Sequence, residues 1–172
     1  NLMRKMYRWK VANALELDHW LNVVGRFDAL TSLANMTFNN NSLVYPEISD
    51  EECEIHGVDV RHPLLAKSES VGNTYTINGK GKVDIITGAN MAGKSTFLRT
   101  VGINLVLAFT GAPCCAKSVS VSSMRIFSSM RTQDNLEEGI SSFYAELKRV
   151  EQLLNLLENG EPIFFLLDEM FK

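Results

Sequence analysis

Apolar residues recur at Leu17, Trp20, Leu21, Val24, Phe27, Leu30 and Ala34, a spacing that predicts a long helix from about Leu15 to Ala34 with one broad apolar face. Tyr7 and Trp9 lie where that helix would extend towards the N-terminus. Asn39-Asn40-Asn41-Ser42 and Pro46 break the pattern and mark a linker. Beyond it the period changes. Cys53 to Val60 and Thr74 to Asn78 alternate as strands do, with Arg61-His62-Pro63 closing the first because a residue before proline is pushed out of helical geometry. These segments read as antiparallel hairpins leading into a main sheet. Gly79-Lys80-Gly81 then turns into Lys82-Val83-Asp84-Ile85-Ile86-Thr87, whose β-branched content predicts a strand.

The stretch from Thr96 to Phe109 is apolar almost all round and predicts a buried helix stopped by Gly111 and Pro113. Strand material follows around Val119-Ser120-Val121 and Met124 to Phe127, and Arg131 to Asn135 reads as a loop. A second amphipathic helix is expected from about Ser142 to Glu158, with Leu147, Val150, Leu153, Leu154 and Leu157 on one face and Asn159-Gly160 ending it. Ile163 to Leu167 is a wholly apolar run, expected as a buried strand. Residues 1–45 are therefore read as a helical connector. Residues 46–172 are read as an α/β domain with a mainly parallel central sheet and an antiparallel subdomain.

Chemistry enters at Gly88-Ala89-Asn90-Met91-Ala92-Gly93-Lys94-Ser95, two glycines four residues apart followed by Lys and Ser, between a predicted strand and a predicted helix. That is the pattern of a P-loop. Gly88 and Gly93 let the backbone wrap an anion, and N–H groups at a helix start point at it with the helix dipole behind them. Lys94 offers a mobile positive charge to the β- and γ-phosphates, and the Ser95 hydroxyl is a hard oxygen suited to Mg²⁺. The competing reading is a glycine turn before a buried helix. With Gly near about 7% of residues, the full pattern arises by chance in roughly one chain in a hundred of this length, and the flanks make it rarer.

Asp168-Glu169 follows the apolar run Ile163 to Leu167, and two carboxylates at a strand end are costly without partners. Beside a P-loop, Asp168 would hold Mg²⁺, while Glu169 would orient and deprotonate an attacking water. Gly139-Ile140-Ser141-Ser142 places hydroxyls at a helix start; spacing alone favours ordinary caps over a second phosphate-facing turn. His62 can touch a nucleotide base, although a histidine beside proline is more often a satisfied turn residue. His19 and His56 have no partners at metal-ligand spacing.

Across 172 residues the chain is 45% hydrophobic and 22% charged, ordinary for a water-soluble domain, and its net charge of −3 gives no basic footprint for nucleic acid. Any DNA contact is expected outside this stretch. Three cysteines, two of them adjacent, argue against a disulfide framework and for reduced thiols in the cytoplasm. No leader and no membrane span is read in the sequence, and both ends look like cuts in a longer chain.

Taken together, Thr87 to Thr96 with its Asn90-Met91 pair, Arg61-His62-Pro63, Gly111 to Ala116, Arg125-Ile126-Phe127, Asp134, Gly139 to Phe143 with Glu146, and Asp168-Glu169 resemble the ATPase domain of the MutS family of DNA mismatch repair proteins. The resemblance runs in order from about Ala14 to Glu169. It implies ATP and Mg²⁺ as ligands, phosphate contacts from Gly88 through Thr96, and adenine contacts around Val71. It also implies a homodimer in which Ser141 reaches the γ-phosphate on the partner subunit, in place of the capping role that spacing favoured. The leading helix would be the end of a lever reaching a DNA clamp whose grip ATP switches. Ala89, Ala92, Ile140, Asn135 and the continuation Met170-Phe171-Lys172 depart from the family pattern and point to a divergent branch. The stretch also stops before the family's later trans loop, γ-phosphate-sensing histidine and dimerisation helices, so strong turnover is expected of the full-length dimer, and weak nucleotide binding with little hydrolysis of this piece. The alternative from another class is an ABC-type ATPase serving a partner other than DNA. Against it, the Leu-Ser-Gly-Gly-Gln signature of transporters is missing before the Asp-Glu pair.

Overall fold

The computed structural model describes residues 1–89, 91–130 and 141–170. Helix α1 spans Leu2–Asn39, longer than its apolar stripe predicts, because nothing from Leu2 onward interrupts it: the stretch holds no proline. Trp9 and Trp20 stack at a tilt with ring centroids 6.5 Å apart. The expected packing of its apolar face is not seen among the described residues. α1 buries none of its side chains, and Phe27 is 72% exposed.

Four strands make the first sheet: β1 (Glu47–Ser49), β2 (Ile55–Val60), β3 (Asn73–Ile77) and β4 (Ser118–Ser122), in the order β1-β4-β2-β3. The β1–β4 pair is parallel, with Glu47 opposite Ser120, while β4–β2 and β2–β3 are antiparallel. The expected antiparallel pairing of the two alternating segments is present. A register shift between Gly57 and Val60, where Asp59 takes φ +51°, bends β2 into the turn that follows.

Helix α2 (Lys94–Phe109) covers this sheet. Its inward residues Val101, Leu105 and Ala108 meet Ile55, Val60, Val119 and Val121 to form the core, with Cys114 and Ala116 beside them. Val119 and Val121 are both buried because they share one face of β4 at the two-residue strand period. Each fully buried side chain of this size contributes roughly 1.5–3 kcal/mol. Gly111 ends α2 with φ +78°, a left-handed geometry that glycine adopts without strain.

A second, two-stranded sheet pairs β5 (Arg125–Ser129) with β6 (Ile163–Leu167) in parallel, Arg125 opposite Ile163 and Ser129 opposite Leu167. Helix α3 (Ser141–Glu158) is part of the crossover that a parallel pair requires. Arg149 of α3 lays its guanidinium over the Phe127 ring, 5.3 Å from its centroid, and donates to the Ser128 carbonyl. Where α2 passes β6, Gly102 leaves room for Leu166, whose Cδ1 would stand 2.9 Å from a Cβ added there.

Two expectations about the sheet are corrected. The architecture is mixed α/β, with a mixed four-stranded sheet and a separate parallel pair in place of one mainly parallel central sheet. Lys82 to Thr87 forms no strand: the segment is extended chain with Val83 66% and Ile85 82% exposed, because no described strand lies alongside to take its backbone hydrogen bonds. For the same reason β6 is only half buried. β5 covers one edge, and Leu166 alone of its five side chains is buried.

Candidate functional site

The glycine-rich loop runs directly into α2. Gly93 is the helix N-cap at φ +88°, and among the described residues nothing beyond its chain neighbours lies within 4 Å of where its Cβ would stand. Met91 also takes a positive φ, +63°, and its side chain is fully exposed. The Ala92 N–H donates to the Ala89 carbonyl at 3.2 Å, and the Phe97 N–H donates to the Gly93 carbonyl at 2.8 Å, closing the first helical turn. Asn90 lies outside the described residues.

Lys94, the first residue of α2, folds back over the loop. Its ammonium donates to the Gly88 carbonyl at 2.9 Å and to the Ala89 carbonyl at 2.8 Å. The positive charge is thus held at the loop mouth by neutral acceptors, which an anion with stronger acceptor oxygens can displace. The Lys94 side chain packs along Gly88, where an added Cβ would meet its carbons at an ordinary contact distance of 3.9 Å. Ser95 is half-buried in the same turn, and Thr96 is exposed.

At the end of β6 the Asp168 N–H donates to the Ser129 carbonyl at 3.0 Å, extending the β5–β6 ladder by one bond. Glu169 then takes φ +45°, turning the chain sharply out of the strand. Gly88 and Lys94 from the loop, and Asp168 and Glu169 from the strand end, line one cavity of about 1410 Å³. Its remaining wall is largely apolar, with Ile55, Ile77, Phe97 and Phe164 on the sheet and α2 side and Ile85 on the extended segment. Among the described residues no group of three His, Cys, Asp or Glu could hold a metal unaided.

His62 sits in the turn after β2. Its Nδ1 accepts from the Leu64 N–H at 3.3 Å and its carbonyl accepts from the Leu65 N–H at 3.2 Å. It is not one of the cavity residues. Ser141 begins α3, and its side chain is outside what the structure describes, as are the Arg131 to Asn135 loop and Gly139-Ile140.

One half-buried group and one buried group escaped the sequence reading. Tyr75 packs edge-on against Phe97, centroids 5.9 Å apart, and burial pushes its hydroxyl pKa well up, with the Cys114 sulfur adding to the shift. Asn104 is 1% exposed on the core face of α2 with its side-chain amide fully engaged. The signal for it was present: a single amide between Val101 and Leu105 must have partners.

A family model described as MutS domain V matches residues 84–172, from the extended segment through the loop, α2 and β6 to the C-terminal residue. The chain belongs to the MutS family. A DNA mismatch repair protein MutS of Clostridium kluyveri is 36% identical over 154 residues, covering 86% of this chain and 17% of that protein. Its counterpart from Methanococcoides burtonii is 33% identical over 165 residues, covering 92% of this chain and 18% of its own length. That of Fusobacterium nucleatum is 34% identical over 168 residues. This MutS-family chain therefore spans less than a fifth of the length of these relatives. No described helix is long and apolar enough to cross a membrane.

Proposed function

We propose that this chain is the ATP-binding and ATP-hydrolysing part of a cytoplasmic DNA mismatch repair protein, in which nucleotide switches the grip of a dimeric clamp on DNA. The observation that carries the reading is the meeting of Gly88 and Lys94 with Asp168 and Glu169 on one cavity, two motifs distant in sequence. A triphosphate has a fitting cradle. α2 is capped by Gly93, and the Lys94 ammonium already stands at the loop mouth with exchangeable partners.

In this reading the backbone from Gly88 through Thr96, Asn90 included, wraps the phosphates, and Lys94 exchanges its two loop carbonyls for phosphate oxygens. Mg²⁺ fits the oxygen donors Ser95 and Asp168 and, when bound, supplies charge neutralisation on the phosphates. Glu169, turned out of β6 by its positive φ, orients water and accepts its proton. The His62 turn, which lies off that cavity but is tied to α2 through the Asn104 bond to the Arg61 carbonyl, is assigned the nucleoside end of the ligand, and Ser141 the site of the partner subunit across a homodimer. DNA is bound by parts of the protein outside this stretch, consistent with its net charge of −3.

Binding of a fluorescent ATP analogue and release of phosphate test the reading. Lys94→Ala is expected to weaken binding by about a hundredfold. Glu169→Gln should retain binding but not turnover. Undiminished binding by Lys94→Ala would reject the site. In the full-length parent, a mismatched duplex should be preferred over a matched one and its retention altered by ATP; hydrolysis indifferent to DNA would reject the repair role.

A further inference from the structure

Asn104 has the only orientation its surroundings permit. Nδ2 donates to the Arg61 carbonyl at 2.9 Å and to the Thr100 carbonyl at 2.8 Å, while Oδ1 accepts from the Cys115 N–H at 2.8 Å. Exchanging O and N would set an oxygen against two carbonyls and an amino group against an N–H, so the assignment is fixed by chemistry. Two features make this more than a satisfied core amide. Along α2, Thr100 Oγ1 in turn donates to the Thr96 carbonyl at 2.7 Å, so consecutive side-chain bonds run from Asn104 back to the first turn of the helix that starts at the phosphate loop. Across the core, Arg61 is held twice: its carbonyl by Asn104, and its N–H by the Cys115 carbonyl at 2.7 Å. The Arg61 guanidinium then reaches the Ser70 carbonyl and pairs with Asp59 at 2.9 Å, closing the 61–72 turn that contains His62.

We infer that Asn104 is a positioning residue of the nucleotide site, fastening the helix behind the phosphate cradle to the turn that carries His62 so that the two halves hold a fixed separation. The inference rests on the nucleotide reading above and adds to it the element that sets the geometry between phosphates and nucleoside. Asn104 acts from about 15 Å along α2 and touches neither ligand half itself. Its loss should therefore spare a ligand that needs only the cradle and penalise one that must reach both halves.

The test compares MgATP with magnesium tripolyphosphate, by calorimetry, on the whole chain and on Asn104→Leu, which keeps the volume and removes the amide. The expected result is a roughly tenfold loss for MgATP with tripolyphosphate changed by less than about twofold. Equal losses for both ligands would make Asn104 a general stabiliser and overturn the inference, as would no loss for either. A wild-type chain that binds neither ligand would overturn the nucleotide reading as well, which separates the two failures. Should Asn104→Leu fold poorly, Arg61→Gln cuts only the outer link to Ser70 and Asp59 at a half-buried side chain, and the same preferential loss of MgATP is expected. Amide hydrogen exchange supplies a ligand-free readout: in Asn104→Leu the Leu64 and Leu65 amides, bonded to His62, should exchange about tenfold faster while the Val121 amide does not. Acceleration confined to Cys115 would overturn the coupling.

Discussion

The four-stranded sheet with α2 and the β5–β6 pair with its facing extended segment are built from equally apolar sequence, yet only the first is sealed. Ile55, Val60, Leu105 and Val121 are fully or almost fully buried, whereas the second region buries Leu166 and Leu153 and leaves Ile85 82% exposed. Alternation and β-branching state which side chains gain from burial; they do not state that a neighbour stands on the far edge. The two candidate motifs, Gly88 with Lys94 and Asp168 with Glu169, line one cavity at the border between the two regions. The glycine-rich loop is joined to the sealed half through α2, whereas Asp168 and Glu169 follow β6 of the open half, which is held mainly by one strand pairing.

The largest test of that contrast is truncation on each side. Leu105→Ala should cost about 2–5 kcal/mol in urea unfolding, because the cavity opens in a close-packed core. Phe165→Ala on half-buried β6 should cost clearly less, about 1–2 kcal/mol, since a side chain already facing a cavity loses fewer contacts. Equal costs would break the comparison.

Next in size is the joint. Gly102→Val places branched carbon against Leu166, already 2.9 Å from an added Cβ, and should cost about 1–3 kcal/mol. Gly102→Ala should come out near neutral, because about 1 kcal/mol of helix propensity offsets a small retreat of the Leu166 side-chain end. If both are neutral, α2 and β6 are not pressed together.

A smaller effect is titration of the sealed half. Burial, then the neighbouring Cys115, pushes the Cys114 thiol up to about 11 from its ordinary 9.0. Between those values the unfolded chain has lost a proton that the native chain keeps, so stability is fully present below pH 9 and declines as pH rises to about 11. Tyr75, raised in the same direction by burial, continues the decline above its ordinary value of 10.0. Urea midpoints followed from neutral to alkaline pH should fall, and Cys114→Ala should flatten the earlier part of the fall. An unchanged slope in that variant would place the titrating group elsewhere.

The sequence made the glycine-rich loop at the start of α2 and the Asp168-Glu169 pair at the end of β6 legible as local features, because residue types at fixed spacing mark where a helix begins and a strand ends. The antiparallel pairing of β2 and β3 was legible for a similar reason, since both alternate and they follow one another in the chain. What could not be read were the non-local partnerships. β1 pairs with β4 across some seventy intervening residues, and nothing in Glu47-Ile48-Ser49 announces that register. Lys82 to Thr87 has every local mark of a strand, but a strand is a relation between two segments, and the described chain supplies no second one. Asn104 was hidden by the opposite error: an apolar helix absorbed the one amide that bonds across the core, to the Arg61 carbonyl and the Cys115 N–H.

The smallest expected effect sharpens the picture of how the open half is held. Arg125 at the start of β5 meets Glu161, just before β6, at 2.9 Å, and its backbone N–H donates to the Pro162 carbonyl at 2.8 Å. Both side chains are substantially exposed, so water screens the pair and holding two long side chains costs entropy. A double-mutant cycle of Arg125→Gln and Glu161→Gln should therefore return a coupling of only about 0.2–1 kcal/mol, falling further in high salt. The backbone bond to Pro162 survives both substitutions, which leaves the strand register intact and isolates the charge effect. A coupling well above that range would mean that the β5–β6 pair depends on its polar edge rather than on Leu166 and Leu153. Asp168 and Glu169 would then be positioned by surface electrostatics, and the protection of the Asp168 amide, bonded to the Ser129 carbonyl, should weaken with salt in parallel with the coupling.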